Sequence, residues 1–578
     1  PSSQLFIFRL TSLSAIAIPS SVTSIISRTA DGIADGETTK DGEHAIRRTK
    51  NNGISHHNNC DEISRCITEI IEITDCRMSD MHFARTLRSA RMRFVTTRIG
   101  DQHNHRDQSD RSTAELKLLQ LSRSKTAVTL FDPLNEKHKK KRGKTMNIRF
   151  YNAKILVPAE NHKFQITEGE LWVKGKEICY IGDGKTGVDA VCKNGEVLVW
   201  EREIDAKGNL LMPGFKDAHT HTAMTFLRSY ADDLPLQDWL NKQVFPKEGQ
   251  LTEDDVYWLN ILGIMEYLTS GITSNFDMYF FPPVDAKASV DTGFRTVQTS
   301  GLNNFGGTVE LMEENYHIVN EMSDLTSFIV GFHAEYTTSK ELMEGVAKLA
   351  QKLKSPVWLH NSETKLEVAE CKERWGMTPT QLTDALGMYE YGGGGYHCVW
   401  FEDADFEIYK KKKLTAVTNP ASNLKLASGI CPTKHFVDEG ISMAIGTDGP
   451  ASNNCLDMFR EMFLTSALAK VREMDAECVS ADEILYMATT GGAHAMQLFD
   501  CDSLAVGKKA DLVMIDLNQP NMQPENNIVK NLVYSGSKQN VKLTMVNGKV
   551  LYEDQKFDIG FDPADIYRRA NEIIRRMK

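Results

Sequence analysis

Phe215-Lys216-Asp217-Ala218-His219-Thr220-His221 is the stretch on which the reading of this 578-residue chain turns. It has the texture of a short buried strand running out into His-x-His. On a strand, residues i and i+2 share a face, so both imidazoles converge on one point. The stretch belongs to a strand expected near 210–219, and seven more are expected near 272–278, 294–302, 327–333, 356–360, 395–400, 414–418 and 441–448. Helical signals fall between them. Thr252 is a good N-cap with Asp255 in the first turn, and Val256, Leu259, Gly263 and Tyr267 recur at helical spacing until Gly271. Ser339 caps a helix carrying Leu342, Val346, Leu349 and Leu353, and Ser480 with Glu483 reads as a capping box. Eight β/α alternations predict an α/β chain built on a TIM-like (β/α)8 barrel, although a doubly wound sheet also alternates.

On either side of this core the period changes. Ile148–Tyr151, Glu170–Val173 and Ile178–Ile181 alternate apolar and polar residues with a Gly turn. Asp511–Ile515 and Lys542–Val546 repeat the texture, the latter turning at Asn547-Gly548, a strong hairpin signal. The expectation is a small β-sandwich formed by both ends of the patterned region. Its parts are 146–208 and 505–560, with the barrel over 209–504 and a C-terminal helix over 561–578.

Residues 1–145 are different in kind. They hold 24 Lys and Arg against 17 Asp and Glu, whereas the remainder holds 43 against 61. So acidic a body would repel a phosphate backbone, which argues against nucleic-acid binding. Three readings of the basic leader compete. Residues 1–30, with Arg9, Arg28, many Ser and no acid, faintly resemble a targeting peptide before the first acid at Asp31. Lys137–Arg142 is a basic run of the nuclear or nucleic-acid type. The favoured reading is that the leader is disordered or non-native, an upstream region translated in frame, with the protein proper opening at Met146. Eleven Cys occur without a Cys-x-x-Cys pair, which fits a reducing, cytoplasmic setting rather than a disulfide framework. No run approaches the ~18 apolar residues of a membrane helix, so no membrane partner is expected.

In a barrel, chemistry gathers at the C-terminal ends of the strands. Beyond His219 and His221, the fourth strand ends at His333, the fifth at His360 with Glu363 just past it, the sixth at His397 and the eighth at Asp448. Neutral imidazoles with one carboxylate suit Zn²⁺ or another first-row divalent ion. His162, His317, His435 and His494 are expected outside the site, and Lys410–Lys413 on a solvated helix face. Gly392–Gly395 lacks the Lys-Ser/Thr of a phosphate loop and is expected as a flexible turn. The pairing of His-x-Glu with Pro-Cys-x-x-Cys that marks cytidine-deaminase zinc sites is absent.

Several longer motifs carry a family resemblance. Pro213-Gly214-Phe215 running into Asp217–His221 resembles the metal-dependent amidohydrolases. Ala231–Leu236, His397–Trp400, Asn419–Gly429 and Gly446–Asn454 narrow it to the 5-methylthioadenosine/S-adenosylhomocysteine deaminase branch, related to guanine deaminases and triazine hydrolases. The resemblance spans most of 146–556. It implies a barrel with a β-sandwich, and one divalent metal ion, Zn²⁺ first and Fe²⁺ second, on His219, His221, His360 and Asp448. It implies Glu363 as proton shuttle, His397 as the group polarising the attacking hydroxide, and Asp448 as a further catalytic group. Glu248 would bind ribose hydroxyls, with His333 and Glu363 also touching substrate. The implied partner is a small purine nucleoside, with a homo-oligomer left open, and the implied activity is hydrolytic deamination. A guanine deaminase-like or triazine-like aminohydrolase and a non-catalytic protein of the same fold are the alternatives.

Two departures from the family pattern bear on substrate. The family's Arg after the third strand falls at Ser300, and the fourth-strand motif reads His333-Ala334-Glu335-Tyr336-Thr337, with Glu335 in place of Pro. A missing cation and an added acid at the pocket mouth would disfavour a carboxylate-bearing substrate, unless Arg295 substitutes.

Overall fold

The computed structural model describes residues 146–185, 187 and 198–578. The expectations for residues 1–145 lie outside the described residues. Among these, no helix is long and apolar enough to cross a membrane.

Five strands open the fold: β1 (Asn147–Pro158), β2 (Phe164–Lys174), β3 (Glu177–Gly182), β4 (Arg202–Asp205) and β5 (Leu210–Pro213). Eight follow with helices between them: β6 (Phe215–Thr220), β7 (Ile272–Tyr279), β8 (Arg295–Ser300), β9 (Thr326–Ala334), β10 (Val357–Asn361), β11 (Gly393–His397), β12 (Thr415–Thr418) and β13 (Ser442–Ile445). Four close the chain: β14 (Leu512–Ile515), β15 (Val541–Val546), β16 (Lys549–Glu553) and β17 (Lys556–Phe557).

Strands β6 to β13 pair in sequence order, every recorded pair parallel. The open edges meet beyond β13, where Asp448 N–H donates to the His219 carbonyl at 2.9 Å. Asp217 reinforces that seam by accepting from Thr447 N at 2.8 Å and from its hydroxyl at 2.6 Å. The approach is close. A Cβ on Gly446 would lie 2.7 Å from the His219 nitrogen. The barrel interior is filled by large rings, with Phe276, Trp358 and Tyr396 in mutual contact.

The remaining strands link into one nine-stranded sheet. Strand β5 joins the two ends of the chain, pairing parallel with β1 and antiparallel with β14. Alternation explains why both faces are apolar. Leu211, Leu512, Met514, Leu543 and Met545 enter the sheet's own core, while Leu210, Met212, Val513, Ile515 and Val541 turn to the core shared with the barrel. Hydrogen bonding makes this one continuous nine-stranded sheet.

Two strand expectations are corrected. The strand expected over 210–219 divides at Gly214: Leu210–Pro213 joins the nine-stranded sheet, and only Phe215–Thr220 enters the barrel. Gly392–Gly395 is not a flexible turn, because Gly393, Gly394 and Gly395 pair with Val357, Trp358 and Leu359. A Cβ on Gly394 would sit 2.0 Å from the Thr415 carbonyl oxygen and 2.8 Å from the Trp358 ring. Glycine is required there for close approach to neighbouring strands and to a bulky indole.

The helix caps follow the residues. Thr252 and Asp255 form a reciprocal capping box on α1 (Glu253–Thr269), and Ser339 caps Lys340–Leu353. Ser480 accepts from Glu483 N, giving one half of the expected box. The final helix, α2 (Pro563–Met577), lies on α1 through Arg576–Asp255 at 2.5 Å and through Arg569 stacked 3.9 Å over Trp258.

The apolar periodicity that reads as strands and helices begins at Met146. A chain starting at Met146 is therefore expected to fold with undiminished specific activity. Circular dichroism and turnover of that chain beside the full-length protein test this, and failure to fold would make residues 1–145 an indispensable part.

Candidate active site and metal centre

The strand ends deliver the expected side chains to one pocket. Its lining includes His221, Glu248, His333, His360, Glu363, His397 and Asp448. His219 lies beneath them, fully buried with its ring stacked on Tyr396 at 3.7 Å. His162, His317, His435 and His494 are not among the lining residues. Lys410, Lys411 and Lys413 are exposed on or just past the helix Asp403–Lys412.

Backbone carbonyls set the orientation of two imidazoles. His221 Nδ1 lies 2.6 Å from the Met278 carbonyl, and His360 Nδ1 lies 2.7 Å from that of His333. A carbonyl has no proton to give, so each Nδ1 carries one and each Nε2 presents a lone pair. Those two Nε2 atoms face one another at 3.2 Å. Asp448 Oδ1 is 3.2 Å from His221 Nε2 and 3.5 Å from His219 Nε2. Neither ring nitrogen of buried His219 has a hydrogen-bond partner. Facing lone pairs, an orphaned imidazole and a carboxylate in a buried space are a donor set that a divalent cation satisfies. The potential ligand atoms of His219, His221 and Asp448 lie within 4.8 Å of one another, as do those of His219, His360 and His397.

Burial pushes His219 down to about 3 and His360 well below the ordinary imidazole value, keeping both neutral as ligands must be. Burial also opposes charge on His221, but without a cation in the site the Asp448 carboxylate outweighs it and lifts that ring to about 9, so a bound divalent ion would take the place of the Nε2 proton. Asp448 remains ionised despite burial because His219 and His221 hold it well below the usual carboxylate range. It sits in the left-handed region at φ 60°, and accepts from Ser422 Oγ at 2.5 Å and Ser452 Oγ at 2.9 Å.

Glu363 follows β10 on a tight turn. Ser362 at φ 52° and the N–H groups of Ser362 and Glu363, both donating to the Glu367 carboxylate, aim it into the pocket. Burial raises its carboxyl above the ordinary value. Ser428 Oγ donates to Glu363 Oε1 at 2.9 Å, and Oε2 lies 3.9 Å from His397 Nε2. His397, at φ 72°, is held by Asn423 Oδ1 at 2.7 Å from Nδ1.

The amidohydrolase family matches residues 210–551, from β5 through β16. The chain belongs to the amidohydrolase family. This amidohydrolase is 37% identical over 445 residues to a 5-methylthioadenosine/S-adenosylhomocysteine deaminase of Caldanaerobacter subterraneus subsp. tengcongensis, a match covering 74% of the chain and 99% of the relative. It is 36% identical over 438 residues to a 5'-deoxyadenosine deaminase of Methanobrevibacter smithii, covering 74% and 97%. Among solved structures it resembles an adenosine deaminase from Xanthomonas campestris with bound zinc, at 30% identity and a TM-score of 0.69, covering 75% and 98%.

Across the pocket from the amidohydrolase centre, Glu248 ends the short helix Phe245–Glu248, and Tyr279 donates to its Oε1 at 2.8 Å. Burial pushes the Glu248 carboxyl up to about 7. Trp239, Leu240, Phe245 and Phe280 make the wall beside it apolar. Lys247, next in sequence, donates to the Met577 carbonyl at 2.5 Å, tying this wall to the end of α2. His333 Nδ1 meets Thr337 Oγ1 at 2.8 Å.

Two expectations about the mouth are corrected. Glu335 does not open into the pocket: it is buried, paired with Arg374 at 2.6 Å and accepting from Trp375 Nε1 at 2.6 Å. Arg295 starts β8, at the opposite end of that strand from Ser300, and is buried against Asp511 at 2.7 Å. It cannot supply a cation to the mouth. Sequence reasoning left Ser422, Asn423, Ser428 and Tyr279 without roles, although three of the four lie inside the Asn419–Gly429 motif.

Proposed function

We propose that this amidohydrolase deaminates an adenine nucleoside by hydrolysis, releasing ammonia, at a centre where His219, His221, His360 and Asp448 hold one divalent ion, Zn²⁺ first. The observation that carries the reading is the sharing of one pocket by Glu363, whose burial favours its proton-bearing form, the His and Asp cluster, and the Glu248 carboxyl. The nucleoside deaminases to which the chain is similar support the same substrate class.

When bound, a divalent ion lowers the pKa of water from 15.7 to about 7, which makes a nucleophile available near neutral pH. The chain's residues move the protons. Asp448, ionised and fixed by two serine hydroxyls, accepts one from the attacking water. Glu363 donates to the ring nitrogen beside the target carbon, takes the second proton from the hydroxyl as the carbonyl forms and passes it to the departing amine, and the proton held by Asp448 restores Glu363. Two protons leave the water oxygen in all: one ends on the ring nitrogen and one on ammonia. His397 Nδ1–H is committed to Asn423, so Nε2 donates to the developing negative charge when the ring carries both protons. Glu248 keeps one oxygen on Tyr279 and offers the other to ribose hydroxyls. His333 borders the same pocket as a substrate contact.

The decisive experiment is ammonia release from a panel of purine bases and nucleosides. Activity on nucleosides but not on free adenine or guanine is expected, and the opposite pattern would overturn the proposal. Within the panel, 5-methylthioadenosine or adenosine is expected to exceed S-adenosylhomocysteine. Among the described residues no Lys or Arg lines the pocket, and the Ser300 hydroxyl accepts from Leu302 N rather than offering charge. A lost charge-assisted contact to the homocysteine carboxylate is worth about 1.5–3 kcal/mol, roughly ten- to a hundredfold in kcat/KM. A preference for S-adenosylhomocysteine would show that a cation reaches the site from elsewhere.

A further inference from the structure

We propose that Ser428 is a positioning residue that decides which oxygen of Glu363 carries the travelling proton, and that the segment 419–428 sets the geometry of all three proton-handling groups at once. This rests on the deaminase reading above.

The segment follows β12 and includes the helix Pro420–Lys425. It makes one side-chain hydrogen bond to each reacting group. Ser422 Oγ donates to Asp448 Oδ2 at 2.5 Å, Asn423 Oδ1 meets His397 Nδ1 at 2.7 Å, and Ser428 Oγ donates to Glu363 Oε1 at 2.9 Å. The segment is itself held firmly. Ser428 N donates to the Asn423 carbonyl at 2.8 Å, and the Ser428 carbonyl accepts from Trp400 Nε1 at 2.7 Å. Ala427 between them adopts φ 55°, a left-handed conformation that a non-glycine residue keeps only where its surroundings impose it. Lys425 bonds both Asp232 and Asn454, anchoring the segment to the loops after β6 and β13.

The Ser428 contact breaks the symmetry of the carboxyl. A hydroxyl has one proton, and Ser428 gives it to Oε1. The oxygen that accepts is then the carbonyl oxygen of the acid form, and the acidic proton sits on Oε2. That is the oxygen 3.9 Å from His397 Nε2, the group assigned above to meet the developing negative charge. Without Ser428 the two oxygens become equivalent, and the proton faces the substrate only part of the time. The loss falls on the chemical step, because Ser428 is not among the residues lining the pocket.

Ser428→Ala is expected to lower kcat by about tenfold, the scale of one hydrogen bond, with KM changed by less than about twofold and with metal content intact. Ser428→Thr, which keeps the hydroxyl, is expected to recover most of kcat. If Ser428 acts through Glu363, adding Ser428→Ala to Glu363→Gln produces no further loss. Should Ser428→Ala fail to fold, Ser428→Cys, with a weak donor of similar size, replaces it in the same cycle. An unchanged kcat in the single variant, or losses that multiply in the double one, would overturn the proposal. Neither result touches the deaminase reading, which fails only if the native protein releases no ammonia from any adenine nucleoside.

Discussion

Glu363→Gln is expected to lower turnover by about 10²-fold or more with metal content unchanged. Glutamine matches the carboxyl in shape and keeps an oxygen for Ser428, so the packing around it is preserved. It cannot shuttle a proton, and general acid–base groups contribute typically 10²–10⁴-fold. Burial already biases Glu363 towards its proton-bearing form, as a group that must first give a proton requires. Glu363 also stands outside the clusters of possible ligand atoms. Steady-state kinetics with metal analysis of the same preparation checks both halves. Full turnover in the variant would move the proton shuttle to another residue.

His221→Ala has the opposite signature, with metal lost first and activity lost as a consequence. Its Nε2 is 3.2 Å from both Asp448 Oδ1 and His360 Nε2, at the middle of the donor set. Loss of a mere supporting partner costs about 10–100-fold in metal affinity, and loss of a ligand should exceed that. Metal stoichiometry after dialysis against chelators of graded strength measures the effect. His317→Ala, a change on the helix Val309–Met322 away from the pocket lining, supplies the control. Full occupancy in His221→Ala would place the ion on other residues.

Much of the site was legible because parallel barrel strands read as apolar runs and the i, i+2 rule aims their final residues. His219, His221, His333, His360, His397 and Asp448 all emerge at or just beyond such ends. What stayed hidden depends on register and distance. Gly393–Gly395 looks like a turn until β11 is laid against β10 and the Trp358 indole claims the space of a side chain. Leu210–Pro213 and Phe215–Thr220 read as one strand because only Gly214 separates two segments that serve different sheets. Ser428 and Glu363 are 65 positions apart, and their hydrogen bond exists only after the loops following β10 and β12 converge. Glu335 was legible as a departure but not in direction, since its partners Arg374 and Trp375 lie 39 and 40 positions further along the chain, beyond a helix and β10.

The seam that joins β6 to β13 has a consequence for synthesis on the ribosome. His219 and Asp448 stand 229 positions apart. At roughly 5–20 residues per second, His219 waits on the order of 10–50 s before Asp448 is made. The nine-stranded sheet waits longer still, because β5 has no antiparallel neighbour until β14 emerges. During that interval His219 and His221 belong to an unclosed nascent chain, with no finished cavity to select an ion. A chain released before β13 therefore lacks Asp448, and one released before β14 leaves β5 without its antiparallel partner.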